Sequence, residues 1–147
     1  MHMDKLPVMS KLGVVFLKWR RYLQKDLVSH KITLKQHYVL KQLAKKDFLY
    51  PSQIADMLFC DRPTATVIIK NMEREGWIKR EKDPENGKQT LVSITSEGRT
   101  KLDSVEKDIR TEGNHAVDPV ECLTGEEQEE LRRLLNKLSN YMDDIYS

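Results

Sequence analysis

The segment from Asp61 to Gly76 carries side chains that suit an anionic partner. The sequence Asp61-Arg62-Pro63, an acidic cap with an early proline, is typical of a helix start, and Gly76 is typical of a helix end. Apolar residues recur on one face of this predicted helix, at Ala65, Ile68, Ile69 and Met72. The opposite face presents Arg62, Thr64, Thr66, Val67, Lys70, Asn71 and Arg74. This cationic, hydrogen-bonding face is either a binding surface or a solvated helix face.

A second candidate is Lys88, which lies in the sequence DPENGKQTLVSIT at residues 83–95. Asn86-Gly87 favours the positive φ angles of a tight primed turn, so residues 77–82 and 88–95 are predicted to pair as an antiparallel hairpin. A lone hairpin is marginally stable in water, but one face of this hairpin is apolar and would pack on the preceding helices. Lys88 is then either an interacting residue at the hairpin tip or an ordinary solvated lysine.

The elements around these two candidates are predicted to be helices. Apolar residues at helical spacing predict one helix from Ser10 to about Ser29 and another from Gly98 to about Asn114. Three further helices are predicted by their start signals, which are the capping boxes Thr33–Gln36 and Thr124–Glu127 and the proline Pro51. The helix that starts after Thr33 is expected to carry its apolar side on Leu34, Tyr38, Leu40 and Leu43.

The first helix and the last two helices carry apolar stripes wider than a small helix-turn-helix core could cover. In the last helix the stripe consists of Leu131, Leu134, Leu135, Leu138, Tyr141, Met142 and Ile145. A twofold dimer built from these helices would bury the stripes, and an intramolecular three-helix bundle is the alternative. The chain is therefore predicted to be one domain, 1–147, with a central lobe at 33–98 and a helical dimerisation region at 8–30 and 99–147.

Composition agrees with a soluble, cytoplasmic domain of 147 residues. No apolar run approaches the ~18 residues of a membrane span, so no membrane partner is expected. The two cysteines, Cys60 and Cys122, fit a reducing compartment better than a disulfide framework. Charge is uneven, because residues 1–50 carry 11 basic and 3 acidic side chains whereas residues 91–147 carry 7 and 13. This asymmetry suits a polyanionic partner on one side, or a solvated mixture of charges.

A helix-turn-helix is indicated by the short helix, turn and longer helix between Pro51 and Gly76, and the hairpin makes it winged. The sequence PSQIADMLFCDRPTATVIIKNMEREGWIKREKDPENGKQTLVSITSEG resembles the winged-helix core of the MarR family, the multiple-antibiotic-resistance-type regulators. The matching motifs, in order, are Ile54-Ala55, Asp61 to Thr64, Met72 to Gly76, Asp83 to Glu85 and Leu91 to Thr95. The resemblance extends over essentially the whole chain and implies a mainly α fold with a small β-hairpin wing and N- and C-terminal dimerisation helices.

The resemblance implies a transcriptional regulator, expected to be a repressor, that binds a pseudo-palindromic operator in double-stranded DNA as a homodimer. The residues it places on the DNA-facing side of the recognition helix are Arg62, Thr64, Thr66, Val67 and Lys70, followed by Asn71 and Arg74. Lys88 is carried to the wing tip, against the minor groove or the phosphates. Phe59 replaces a frequent glycine, Val67 a frequent basic residue and Lys88 the wing arginine; these departures concern base preference and not the fold.

A small aromatic or phenolic effector is also implied by the resemblance. Trp19, Tyr22, His37 and Tyr38 sit where related regulators form a pocket between the dimer helices and the DNA-binding lobe. Core packing is the alternative role for aromatic residues at helical spacing.

Other chemistry is not indicated by the sequence. His30, His37 and His115 lack the spacing of a helical zinc site, so no metal or other cofactor is expected. Cys60 is expected to be a buried, inert thiol and Cys122 an ordinary loop thiol, with oxidation-linked DNA release as the alternative for Cys60. No phosphate-binding glycine loop, His-Glu-x-x-His motif or nucleophile elbow occurs, so the chain is predicted not to be an enzyme. The alternative function is a helical protein-interaction adaptor that uses the winged unit as a scaffold and lacks salt-sensitive DNA affinity.

Overall fold

The computed structural model describes residues 2–111 and 118–147, and this part of the chain is mainly helical with one antiparallel hairpin, as predicted. In chain order the elements are a 3-10 helix at Met3–Lys5, α1 at Val8–Ser29, α2 at Leu34–Leu43, α3 at Pro51–Met57, α4 at Arg62–Arg74, β1 at Ile78–Lys82, β2 at Thr90–Ile94, α5 at Ser96–Thr111, a 3-10 helix at Pro119–Cys122 and α6 at Gly125–Tyr146. The prediction that α5 continues to about Asn114 extends beyond the described residues.

The predicted capping residues begin the helices. At α2 the Thr33 hydroxyl accepts a hydrogen bond from the Gln36 amide at 3.1 Å, and the Gln36 side chain accepts one from the Thr33 amide at 3.0 Å. Thr124 and Glu127 make the same reciprocal pair at α6. Each pair satisfies two amides that have no partner inside the helix, which is why a local sequence signal predicts these boundaries.

Among the described residues, three helices are followed by a residue with positive φ. Gly76, after α4, has φ of 80°, as its position in the sequence predicted. Lys31 and Phe59 adopt φ of 55° and 50° after α1 and α3, although neither is a glycine. In each case the following amide bonds back to a carbonyl of the last turn, as in the Cys60 amide to the Ala55 carbonyl at 3.1 Å. This pattern satisfies the free carbonyls at the helix end.

The wing differs from its predicted geometry. β1 and β2 pair in antiparallel register, with Ile78 opposite Ile94 and Lys82 opposite Thr90, so residues 83–89 form a seven-residue loop. Neither Asn86 nor Gly87 has a positive φ, and the predicted two-residue primed turn is therefore wrong. Side-chain hydrogen bonds of the loop determine its course instead, as described below.

The hairpin also has a third backbone partner that the sequence did not indicate. Leu49, just before α3, exchanges two 2.9 Å hydrogen bonds with Val92 of β2. Val92 is fully buried, and Ile94 packs against the same core. The hairpin is thus supported on one face by the helices and along one edge by the chain that leads into α3. A two-stranded hairpin alone would be only marginally stable, and these two contacts supply the support that it requires.

One hydrophobic core holds the central lobe together. It combines residues from α1 to α5 and the hairpin, namely Leu23, Leu27, Ile32, Val39, Leu40, Leu43, Ile54, Ile69, Met72, Trp77, Ile78, Val92, Leu102 and Val105. In α2 it is Val39 that is buried, whereas Tyr38 is 41% exposed, so the prediction of Tyr38 on the apolar side is wrong. Gly98 lets α5 approach the hairpin, because a Cβ at this position would lie 2.1 Å from the Trp77 carbonyl oxygen.

Polar contacts connect α5 to the end of α1. Lys101 donates a hydrogen bond to the His30 carbonyl, and its ammonium group lies 5.3 Å from the centre of the Trp77 ring. The His30 Nε2 lies 3.1 Å from Asp108 Oδ2. Through these contacts α5 touches both α1 and the residue that precedes the hairpin.

The terminal helices leave apolar side chains uncovered. On α1 these include Val8, Met9, Val15, Phe16 and Leu17, and on α6 they include Leu134, Leu135, Leu138, Tyr141, Met142 and Ile145. No residue of α6 is buried. The described chain therefore does not form the intramolecular three-helix bundle that would cover these stripes. None of its helices is both long enough and apolar enough to cross a bilayer.

Candidate nucleic-acid interface

The outer face of α4 is accessible along its whole length. Arg62, Thr64, Lys70 and Arg74 are exposed, Val67 is 58% exposed, and Thr66 and Asn71 are half-buried. The predicted inner face is correct, because Ala65, Ile69 and Met72 are buried. Burial of that stripe in the core fixes the rotation of α4, so the cationic side must face outward.

At the start of α4, the Asp61 carboxylate and the Thr66 hydroxyl form hydrogen bonds with groups of the same helix. Asp61 Oδ1 accepts a hydrogen bond from the Thr64 amide at 2.7 Å. Hydrogen bonding by the Thr64 side chain, and secondarily by this amide, lowers the pKa of the Asp61 carboxyl. The Thr66 hydroxyl donates to the Arg62 carbonyl at 2.9 Å. The lone pairs of the Thr66 oxygen stay available to an outside donor, whereas its proton does not.

Arg80 of β1 holds the far end of α4 against the hairpin. Its Nε and Nη2 atoms donate to the two carboxylate oxygens of Glu73 at 2.9 and 3.0 Å. The hydrogen bonds from Arg80 lower the pKa of Glu73, and those same bonds raise the pKa of the arginine. This two-point contact neutralises an acid close to the cationic face and was missed by sequence reasoning, because its partners meet only when the hairpin folds back on α4.

Lys88 lies in the wing loop and is exposed, as predicted for a residue at the tip. Asn86 shapes the loop beneath it, since the Lys88 amide donates to Asn86 Oδ1 at 3.3 Å and the Gln89 amide donates to the Asn86 carbonyl at 2.9 Å. On the strand below, Lys79 is paired with Glu81 at 2.9 Å. Lys88 therefore presents an ammonium group on a hydrogen-bonded loop.

The base of the wing loop is held by Asp83, which is only 8% exposed. Asp83 Oδ2 accepts a hydrogen bond from the Tyr50 hydroxyl at 3.0 Å, and Oδ1 accepts one from the Glu85 amide at 2.9 Å. The hydrogen bond to Asp83 raises the pKa of Tyr50. Sequence reasoning missed this pair, although an acid at a strand end beside Pro84 is a local sign of an ordered loop.

The four residues predicted to line an effector pocket do not share one environment. His37 is 7% exposed and belongs to the lobe interior, whereas its neighbour Tyr38 points to the surface. Trp19 and Tyr22 are partly exposed on α1, and the Trp19 ring lies 6.2 Å from that of Phe16. Core packing thus accounts for His37, while the other three aromatics are partly exposed, Trp19 and Tyr22 on α1 and Tyr38 on α2.

The remaining candidate groups are placed as follows. Cys60 is half-buried and not fully buried as expected, and Cys122 is exposed at the end of a 3-10 helix. Within residues 2–111 and 118–147, no three His, Cys, Asp or Glu side chains cluster as metal ligands would. His115, one of the three histidines considered above, lies outside the described residues.

The α4 face, the turn before it and the supported hairpin after it define a winged helix-turn-helix protein. Within that class, residues 32–90 match the model of the MarR family, in agreement with the resemblance found in the sequence. The chain is also 27% identical over 121 residues to the HTH-type transcriptional regulator TtmR of Methylorubrum extorquens (strain PA1), which covers 82% of this chain. It spans only 58% of the length of that relative.

Solved structures share this fold. The chain superposes with a TM-score of 0.77 on a mutant MarR from E. coli complexed with operator DNA, at 23% identity, over 92% of this chain and 95% of that one. The TM-score is 0.78 with the transcriptional repressor CouR bound to a 23-mer DNA duplex, at 20% identity, over 90% and 92%. The family and the named relative are transcriptional regulators rather than enzymes, in agreement with the prediction that this chain is not an enzyme.

Proposed function

We propose that this chain is a DNA-binding transcriptional regulator whose α4 enters the major groove of an operator. The observation that carries the proposal is the outward cationic face of α4, fixed by its buried stripe and set beside a supported wing. Guanidinium and ammonium groups neutralise phosphates, and the hydroxyl, amide and valine methyl groups suit the edges of bases. The contact residues are Arg62, Thr64, Thr66, Val67, Lys70, Asn71 and Arg74 on α4 and Lys88 on the wing.

The protein acts as a homodimer in this proposal. Residues 8–30 and 99–147 form the dimerisation region and residues 33–98 the DNA-binding lobe. The support is the uncovered apolar stripes of α1 and α6, which a second copy would bury. Twofold symmetry would place two α4 helices about 10 base pairs apart on a pseudo-palindrome. A cytoplasmic location is also part of this proposal.

Repression is the proposed direction of control, and it can be released by a small aromatic or phenolic effector. The DNA-bound structural neighbour CouR is a repressor, which supports the first part. The second part is supported by the partly exposed aromatic side chains Trp19 and Tyr22 of α1 and Tyr38 of α2. An effector there would change the spacing of the two lobes, and a dimer binds tightly only when both helices meet their grooves.

The effector site can be tested by adding 4-hydroxybenzoate and measuring the quenching of tryptophan fluorescence. Quenching that is lost in Trp19→Phe would support this site, and equal quenching in both proteins would reject it.

The test of DNA binding is a titration of the protein on DNA from upstream of its own coding region at several salt concentrations. We expect affinity to fall steeply with salt, because cationic contacts release counterions from the duplex. Lys70→Ala and Lys88→Ala should each reduce the slope of log affinity against log salt by about one unit per protomer. Lys137→Ala, on the exposed surface of α6, is the matched control and should leave the slope unchanged.

The outcomes separate the two candidate functions. A flat salt response or the absence of binding would reject the regulator and favour the protein-interaction adaptor. An unchanged slope for Lys70→Ala or Lys88→Ala would remove that residue from the interface.

A further inference from the structure

Asp83 is a buried carboxylate at the point where β1 ends and the wing loop begins. A carboxylate is costly to bury unless donors satisfy its oxygens. Both of its oxygens are satisfied, one by the Glu85 amide of the same loop and the other by the Tyr50 hydroxyl. The hydroxyl comes from a different part of the chain, 33 residues earlier. The direction in which the loop leaves the strand therefore depends on a side chain outside the wing.

Tyr50 itself is fixed to the helix-turn-helix. Its amide donates to the Gln53 side chain at 2.8 Å, and its carbonyl accepts from the Ile54 amide at 3.1 Å, so its backbone forms the start of α3. Its ring meets the Phe48 ring edge-on at 5.5 Å. The preceding residue, Leu49, is bonded to Val92 of β2. Tyr50 thus has little freedom to move relative to α3 or to the hairpin.

We propose that Tyr50 is a positioning residue for DNA binding, whose hydroxyl acts through Asp83 to hold the wing loop and Lys88 at a fixed place relative to α4. The inference rests on the proposed function, in which Lys88 meets the duplex. The loop continues from Asp83 through the Asn86 hydrogen bonds to Lys88. A loop already ordered in the free protein loses less entropy when its lysine meets a phosphate, and the contact then adds more affinity.

The first measurement needs no DNA. In the free, full-length protein, Tyr50→Phe removes the hydroxyl and keeps the ring that packs on Phe48. We expect faster amide hydrogen exchange at Glu85 and Gln89, whose bonds lie inside the loop, and unchanged exchange at Val92, which is held by Leu49. Tyr146→Phe, an exposed tyrosine at the end of α6, is the matched control and should change neither. Unchanged exchange at Glu85 and Gln89 in Tyr50→Phe would overturn the inference.

The second measurement is a double-mutant cycle on operator affinity, with Tyr50→Phe, Lys88→Ala and the two combined. Tyr50→Phe alone should weaken binding about 3- to 10-fold, the range expected for loss of one hydrogen bond. In the Lys88→Ala background it should cause little further loss, because the positioned group is gone. A parallel cycle with Lys70→Ala should be additive, since Lys70 is held by α4 and not by the loop.

The failures of the inference and of the proposed function are distinguishable. If Tyr50→Phe weakens binding by the same factor with and without Lys88, Tyr50 supports the lobe in general and the inference is wrong, while DNA binding stands. If Lys88→Ala leaves affinity unchanged, both the wing contact and the inference are wrong, and Lys70→Ala still tests the α4 contact. Absence of salt-dependent binding by the natural chain would overturn both proposals.

Discussion

His37 is a buried polar residue whose surroundings differ from those predicted from the sequence. It was predicted as part of an effector pocket, but it lies in the lobe interior, next to the helical surface residue Tyr38. Its Nε2 has no hydrogen-bond partner among the described residues. Burial lowers the pKa of His37, the nearby positive charge of Lys41 lowers it further, and the negative charge of Glu106 opposes both. Folding therefore favours the neutral imidazole over the charged form.

The stability of the protein should consequently fall with acidification more steeply than that of His37→Gln. The unfolded chain binds a proton at His37 as the pH falls through about 6.5, whereas the folded chain does so only at lower pH. The free energy of unfolding is thus unaffected well above this value and decreases below it. Denaturant unfolding of both proteins between pH 8 and pH 5, at one protomer concentration, provides the measurement. Parallel pH curves would show that the protonation of His37 is not coupled to folding.

At the scale of elements, the turn between α3 and α4 determines how these two helices are oriented relative to each other. Phe59 has φ of 50° and its side chain is 96% exposed, so the ring adds no packing that offsets the backbone conformation. A left-handed residue with a Cβ is disfavoured relative to glycine. The resemblance described in the sequence analysis implies a frequent glycine at this position, and the positive φ of Phe59 gives a physical reason for a glycine there.

Replacing Phe59 by glycine should raise the free energy of unfolding by about 0.5–1 kcal/mol. The gain from relieving the left-handed conformation exceeds the added flexibility that glycine gives the unfolded chain. Phe59→Ala is the matched control, because it removes the ring but keeps the Cβ and should change stability little. Chemical denaturation of the three proteins tests this. If the glycine and alanine variants are equally stable, the conformation at residue 59 carries no strain.

At the scale of the whole molecule, the apolar side chains fall into two groups. One group is buried in the core, and the other forms the uncovered stripes of the terminal helices. The core of the lobe is built from residues of α1 to α5 and the hairpin of one chain, whereas α6 buries none of its residues. Residues of one chain therefore supply the core of the lobe, whereas the apolar side chains of α6 stay in water unless a second copy covers them, as in the proposed dimer. In the proposed regulator this difference makes DNA affinity depend on dimerisation without making the lobe depend on it.

Leu138→Glu, in the middle of the α6 stripe, should separate the proposed dimer into monomers. A charge in an apolar interface is costly, and DNA affinity should fall by about 10²-fold or more because two linked lobes bind far more tightly than one. Light scattering with size exclusion measures the mass, and operator titration measures the affinity. Asn140→Glu, on the opposite face of α6, is the control and should remain dimeric. A Leu138→Glu protein that keeps the mass of the natural one would exclude α6 from the interface.

The sequence by itself determined that the helices form, the starts of α2, α3, α4 and α6, and the orientation of α4, whereas α1 and α5 each begin two residues earlier than predicted. Capping boxes at Thr33 and Thr124, the cap at Asp61 and the end at Gly76 depend on residues within one turn of each other, and the apolar period of α4 fixes its inner face. Such signals are local, so they are readable without coordinates.

Only the tertiary structure decided the course of the wing. The Asn86-Gly87 signal for a tight turn was overridden by bonds at Asp83, and the pairs Tyr50–Asp83, Arg80–Glu73 and Leu49–Val92 join segments that the sequence does not place together. A hydrogen bond between distant residues depends on how the whole lobe packs. The amino-acid type of one residue therefore does not predict which distant residue will be its partner. The helix starts and ends of this protein are therefore determined by neighbouring residues, whereas the position of Lys88 relative to α4 is set by contacts that exist only after folding.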